Sequence, residues 1–77
     1  MEFKEIYPGM VFRVSNFGVK NFARVTRIGN GITTDIIYAV FVSPSDFTQK
    51  RRVDDHEWAC WDFMYNPEEW EFWGRSN

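Results

Sequence analysis

Thiols and imidazoles are almost missing from this chain. Cys60 is the one cysteine in 77 residues and His56 the one histidine. A single cysteine excludes an internal disulfide, and one chain cannot supply two thiolates to a zinc site. His56 and Cys60 stand four apart and share a face if their segment is helical, with Asp55 beside them. A tetrahedral zinc needs further ligands, so no metal is expected and Cys60 is read as a small buried thiol. Covalent catalysis meets the same shortage, because Asp55, Glu57 and Asp62 surround the pair and disfavour a thiolate. Gly29-Asn30-Gly31 reads as a hairpin turn, not a phosphate loop. Asp54/Asp55 and Glu68/Glu69 are adjacent carboxylates suited to helix starts. No catalytic residue, cofactor or enzymatic activity is expected.

Long apolar runs are absent too. None approaches the roughly 20 residues of a membrane span. The opening MEFKEIYPGM alternates acidic and basic residues and lacks the apolar core of a signal peptide. A soluble, cytoplasmic protein is expected, with its thiol reduced. At 77 residues the chain is one domain, residues 1–77, with a small core.

What the chain does hold is aromatic side chains, 19% of its residues. That content argues against intrinsic disorder and compensates for the missing staples. All four tryptophans fall in one stretch, WACWDFMYNPEEWEFW, from Trp58 to Trp73, with no basic residue among them. The net charge of −2 conceals a division. Residues 1–53 carry +4, whereas residues 54–77 carry −6, with Arg75 the lone cation there. Either the acidic segment folds back over a basic sheet, or it keeps an acidic face for a basic partner. Internal compensation is the slightly favoured reading.

Strand signals dominate the first two thirds. Tyr7-Pro8-Gly9 is a turn, followed by MVFRV with alternating Met10, Phe12 and Val14. Phe22 to Ile28 is rich in β-branched and aromatic residues. Asn30-Gly31 between apolar runs is a strong hairpin signal. The third strand, about 32–43, contains IIYAVFV, apolar on both faces. Gln49 to Val53 suits a solvated edge strand whose cations discourage edge pairing. After it, Asp54 with Glu57 three residues on forms a capping-box pattern, and a short helix through Trp58, Trp61 and Tyr65 is favoured over a strand. Asn66-Pro67-Glu68-Glu69 repeats a helix start, with Gly74 to stop it. The expected fold is mainly β (α+β), a small, strongly bent antiparallel sheet or barrel of four to five strands with a short C-terminal helical segment.

The order of PGMVF, ARVTRI, the Gly29-Asn30-Gly31 turn and IIYAVFV resembles the small barrels of the Src-homology and Tudor type. It also looks like short reading frames common in bacteriophages and prophages, where a similar opening precedes a tyrosine-bearing strand and an aromatic C-terminal segment. The resemblance covers residues 8–42, and the tail after Asp54 departs from it. It implies a small β-barrel and a phage or prophage origin.

Two surfaces carry functional expectations. Interfaces enrich aromatic rings at their centres inside a polar rim. Trp70, Phe72 and Trp73 stand among Glu68, Glu69 and Glu71 and are expected to meet a partner protein, while Trp58, Trp61 and Phe63 close the barrel. With the phage-type resemblance, the partner is a host protein that the chain blocks or modulates, such as a defence or transcription factor. The alternative is nucleic-acid binding by Arg24, Arg27, Lys50, Arg51 and Arg52, with Phe17, Phe22 or Tyr38 as stacking platforms. Against it stands a pI near 5.2. Homodimerisation through the third strand or the aromatic tail is the third reading.

Overall fold

The computed structural model describes residues 6–16, 18–30, 35–60 and 67–75. They form strands β1 (Met10–Asn16), β2 (Val19–Asn30), β3 (Asp35–Ser43), β4 (Asp46–Lys50), β5 (Trp58–Ala59) and β6 (Trp70–Arg75). The antiparallel sheet has the order β4-β3-β2-β1-β6, and β5 pairs with the far edge of β3 beyond β4. It curls into a half-barrel, mainly β as the composition implies.

Alternation decides which side chains go inward. Met10, Phe12 and Val14 of β1 point into the main core with Ala23 and Val25 of β2, Ile37 and Ala39 of β3, Cys60 and Trp70. Val11 turns to the outer face, where it is buried with Val40 and Val42 beneath Phe22 and Phe47. Thus β3 is apolar on both faces, as its run of Ile, Val and Phe requires. Burying a side chain such as Phe12 contributes about 1.5–3 kcal/mol, and the core has few members, so each weighs heavily.

The turn at Tyr7-Pro8-Gly9 forms as anticipated. Gly9 takes φ 93°, the Met10 amide donates to the Tyr7 carbonyl at 3.2 Å, and the Gly9 amide donates to Val25 O at 2.8 Å. The β2–β3 hairpin is paired to its end at Asn30↔Asp35. Gly31 and the expected first residues of the third strand lie outside the described residues.

Two one-residue insertions shape the sheet. Val25 pairs with Ala39 and Arg27 with Tyr38, so Thr26 is extra on β2. Val11 pairs with Gly74 and Phe12 with Phe72, so Trp73 is extra on β6. Such bulges bend a strand and re-aim its side chains.

The expected C-terminal helix is not present among the described residues. Pro67–Glu69 makes one 3₁₀ turn, after which the chain enters β6. Proline sets the first turn, but Trp70 and Phe72 then alternate toward Phe12, and pairing with β1 satisfies the backbone that a helix would have satisfied internally. Gly74 lies within β6 and stops no helix. The expected helix at 58–65 likewise begins as a strand, because Trp58 and Ala59 pair with Ala39 and Tyr38. Asp54 caps nothing described; its neighbour Asp55 accepts the Arg52 amide at 2.8 Å and closes a turn. Trp61, Phe63 and Tyr65 lie outside the described residues.

Candidate interaction surface

The candidate contact residues fall on β6 and the turn before it. Glu68 and Glu69 are exposed on the 3₁₀ turn, held there by Pro67 at its start. Trp70 corrects the sequence-based expectation. It is 7% exposed and packs edge-on against Phe12, with centroids 5.8 Å apart, and 6.4 Å from Trp58. Its position opposite Val14 on the inward face of β6 makes it a core residue, not a contact.

Phe72 shares the inward side, edge-on to Phe12 at 5.7 Å, yet remains 43% exposed because β6 is the last strand of the sheet order. Trp73 is the extra residue of the bulge and turns to the outer face. There its ring meets Phe22 edge-on at 5.3 Å, with the Arg13 guanidinium 5.4 Å from its centroid, and it stays 47% exposed. Glu71 lies opposite Arg13 in register, 3.7 Å from Nε. That buried nitrogen makes no hydrogen bond, so the pair is a Coulombic contact alone, weakened by the exposure of Glu71. An open recess of about 250 Å³ is lined by Arg13, Ser15 and Lys20 together with Glu68, Glu69 and Glu71.

The basic residues are dispersed. Arg27 lies over the Tyr38 ring at 3.7 Å and pairs with Glu57 at 2.9 Å. Glu57 also accepts the Thr26 hydroxyl at 2.6 Å, and that bond, with the Arg27 pair behind it, holds its carboxyl below the usual range. Arg51 lies over Phe41 at 4.5 Å and forks onto both oxygens of Asp55, at 2.9 and 3.2 Å. The fork is the main cause lowering the Asp55 carboxyl. Arg52 is exposed in the turn after β4. Only Arg24 and Lys50 of the five come together. They line an open groove of about 500 Å³ with Thr48, Gln49 and Val53, and Arg24 donates to the Phe47 carbonyl at 3.0 Å.

Each of the three ion pairs among the described residues joins a base before residue 54 to an acid after it. The acidic segment therefore folds back over the basic sheet in part, leaving Glu68 and Glu69 outside these pairs. Among the other candidates, His56 is exposed whereas Cys60 is buried, its thiol 3.6 Å from the Trp58 carbonyl. Phe17 lies outside the described residues.

Sequence reasoning overlooked Arg13 and Phe47 and singled out Phe22 only as a stacking platform for nucleic acid; the three lie around the exposed ring of Trp73 and the groove. Arg13 and Phe22 face each other in the β1–β2 register, a pairing visible only once the turn between these strands is counted. No protein-family model matches the chain, and no curated protein or solved structure is similar to it at a significant level.

Proposed function

We propose that this chain is a non-enzymatic protein-interaction module whose contact surface is the acidic, aromatic outer strand β6. The observation that carries the proposal is the half-exposure of two large rings, Phe72 and Trp73, on the terminal strand beside exposed Glu68 and Glu69. Exposed rings of this size within a charged rim are the composition of an interface centre. The carboxylates select a basic partner surface and speed encounter with it. Contact covers that surface and blocks whatever else uses it. The phage-type resemblance extends the proposal to a host protein, a defence or transcription factor, met in the cytoplasm.

Affinity capture of a partner from the host, repeated with two double variants, tests this. Phe72→Ala with Trp73→Ala, and Glu68→Lys with Glu69→Lys, each abolish capture while the protein remains folded by circular dichroism. Trp70 is left intact because it belongs to the core. A partner retained by both variants sinks the proposal.

The nucleic-acid reading has one observation in its favour, the groove that brings Arg24 and Lys50 together. It has one against it: Arg27 and Arg51 are already engaged by Glu57 and Asp55. Oligonucleotide affinity falling steeply with salt is its signature, and no binding at low salt removes it.

A further inference from the structure

The recess beside β6 gathers charges of both signs that do not satisfy one another. Glu68, Glu69 and Glu71 reach it from the 3₁₀ turn and β6, Arg13 and Ser15 from β1, and Lys20 from β2, where it faces Ser15 in register. Three carboxylates against two cations leave the walls one negative charge in excess. Lys20, Glu68 and Glu69 take part in no ion pair among the described residues. Arg13 has its guanidinium 5.4 Å from the centroid of the Trp73 ring, yet it makes no hydrogen bond there. Its Nε is the one buried side-chain polar atom among the described residues that lacks a partner, and the carboxylate of Glu71, at 3.7 Å, is too far to serve. A buried donor without an acceptor calls for an explanation, and here it stands in the wall of a recess.

We infer that this recess binds a basic amino acid that carries a free α-carboxylate. The carboxylate forks onto the Arg13 guanidinium, supplying the acceptor that Nε lacks, and Lys20 adds a second cation to it. Glu71, whose side chain is 60% exposed and makes no hydrogen bond, turns aside as the ligand carboxylate arrives. The ligand's cationic groups face Glu68 and Glu69, and the Ser15 hydroxyl is a further donor or acceptor. Both signs are required of the ligand. A purely cationic one is repelled by Arg13 and Lys20, and an acidic one meets three carboxylates. Free arginine or lysine, with one carboxylate and two cations, offsets the excess charge of the walls. Size agrees, because about 250 Å³ falls below the roughly 300–1,000 Å³ of sites for drug-sized molecules. The same chemistry has two sources, the free amino acid or the last residue of a partner chain. The second source rests on the reading of β6 as a protein contact.

Amide NMR spectra of the full, isotopically labelled chain, titrated at low salt, test this. L-arginine produces saturable shifts at Arg13, Ser15, Lys20 and Glu71, whereas L-glutamate produces none. L-argininamide, which lacks the carboxylate, binds about tenfold more weakly. Nα-acetyl-L-arginine keeps the carboxylate and the side chain and imitates a chain terminus. Binding as tight as that of L-arginine assigns the site to a partner's last residue; weaker binding assigns it to the free amino acid. Lys20→Gln and Glu68→Gln with Glu69→Gln, all at exposed positions, each weaken L-arginine binding while circular dichroism shows the fold retained. Arg13→Lys keeps the charge without the fork and narrows the gap between L-arginine and L-argininamide.

The inference is overturned if neither arginine compound gives a saturable shift, if L-argininamide binds as tightly as L-arginine, or if Lys20→Gln changes nothing. Should it fail while partner capture remains sensitive to Glu68 and Glu69, the ligand site is lost and the broader reading of β6 stands. If capture is insensitive as well, both fall.

Discussion

The rings of Phe41 and Trp58 lie stacked, centroids 4.5 Å apart and planes 24° from parallel. Phe41 belongs to the long central strand β3 and Trp58 to the two-residue β5, so this stack secures a strand too short to hold itself by pairing. Arg51 lies on Phe41, and Trp58 continues to Trp70. One line of contacts thus runs from the turn after β4 to the first residue of β6.

Trp58→Ala removes the stack and the contact with Trp70. Because Trp58 is only partly buried, the loss falls at the low end for a large aromatic, about 3 kcal/mol. Urea unfolding followed by circular dichroism measures it. Trp58→Phe retains most of the stack and loses about half as much.

Trp70→Ala and Trp73→Ala separate packing from contact. The buried Trp70 costs about 3–5 kcal/mol. The half-exposed Trp73 costs about 1 kcal/mol while abolishing partner capture. Paired melting and capture measurements read both effects, and equal destabilisation by the two would contradict the assigned faces.

Glu57 and Asp55 have folded-state carboxyls lowered from their ordinary values of 4.5 and 3.8. A depressed folded value means that the stabilisation is present above the unfolded value and is lost as pH falls through the folded one. The urea midpoint therefore declines as the solution is acidified below about pH 5, more gently than for a buried pair because both groups meet solvent. Thr26→Val removes the largest cause at Glu57 and flattens part of that decline.

Gly29 lies against the ring of Tyr38. A Cβ built there would stand 2.6 Å from Tyr38 Cε2, so Gly29→Ala must push the ring and disturb the Arg27 stack above it. The cost is about 1–3 kcal/mol, as for other overpacked sites. In a Tyr38→Ala background the same substitution becomes nearly neutral. A double-mutant cycle by thermal denaturation checks the coupling.

The parts of this fold that sequence reveals are those in which one signal dominates. Met10, Phe12 and Val14 alternate without a rival pattern, and the both-sided apolar run of β3 has no amphipathic helical alternative. The tail is different. Asp54 with Glu57, and Pro67 with Glu68, carry helix-start chemistry, while Trp70 and Phe72 alternate as a strand. Tertiary pairing with β1 decides between them, and β1 lies at the other end of the chain. For the same reason the bulge at Trp73 is invisible locally: an extra residue exists only relative to the strand that it fails to pair with. The candidate surface was legible as composition, acidic and aromatic. Its division into inward Trp70 and outward Trp73 follows from strand alternation, and it was missed because that segment carries helix-start chemistry.

The bulge has a reach beyond placing one ring. With side chains alternating every residue, Trp70 and Phe72 share a side and Trp73 would normally stand opposite both, directly across from a β1 residue. As an unpaired insertion, Trp73 belongs to no cross-strand pair, so its replacement leaves the β1–β6 ladder intact. A chain under pressure to track a changing counterpart can therefore vary this side chain at the expense of its contacts with Phe22 and Arg13, without breaking a cross-strand backbone pair.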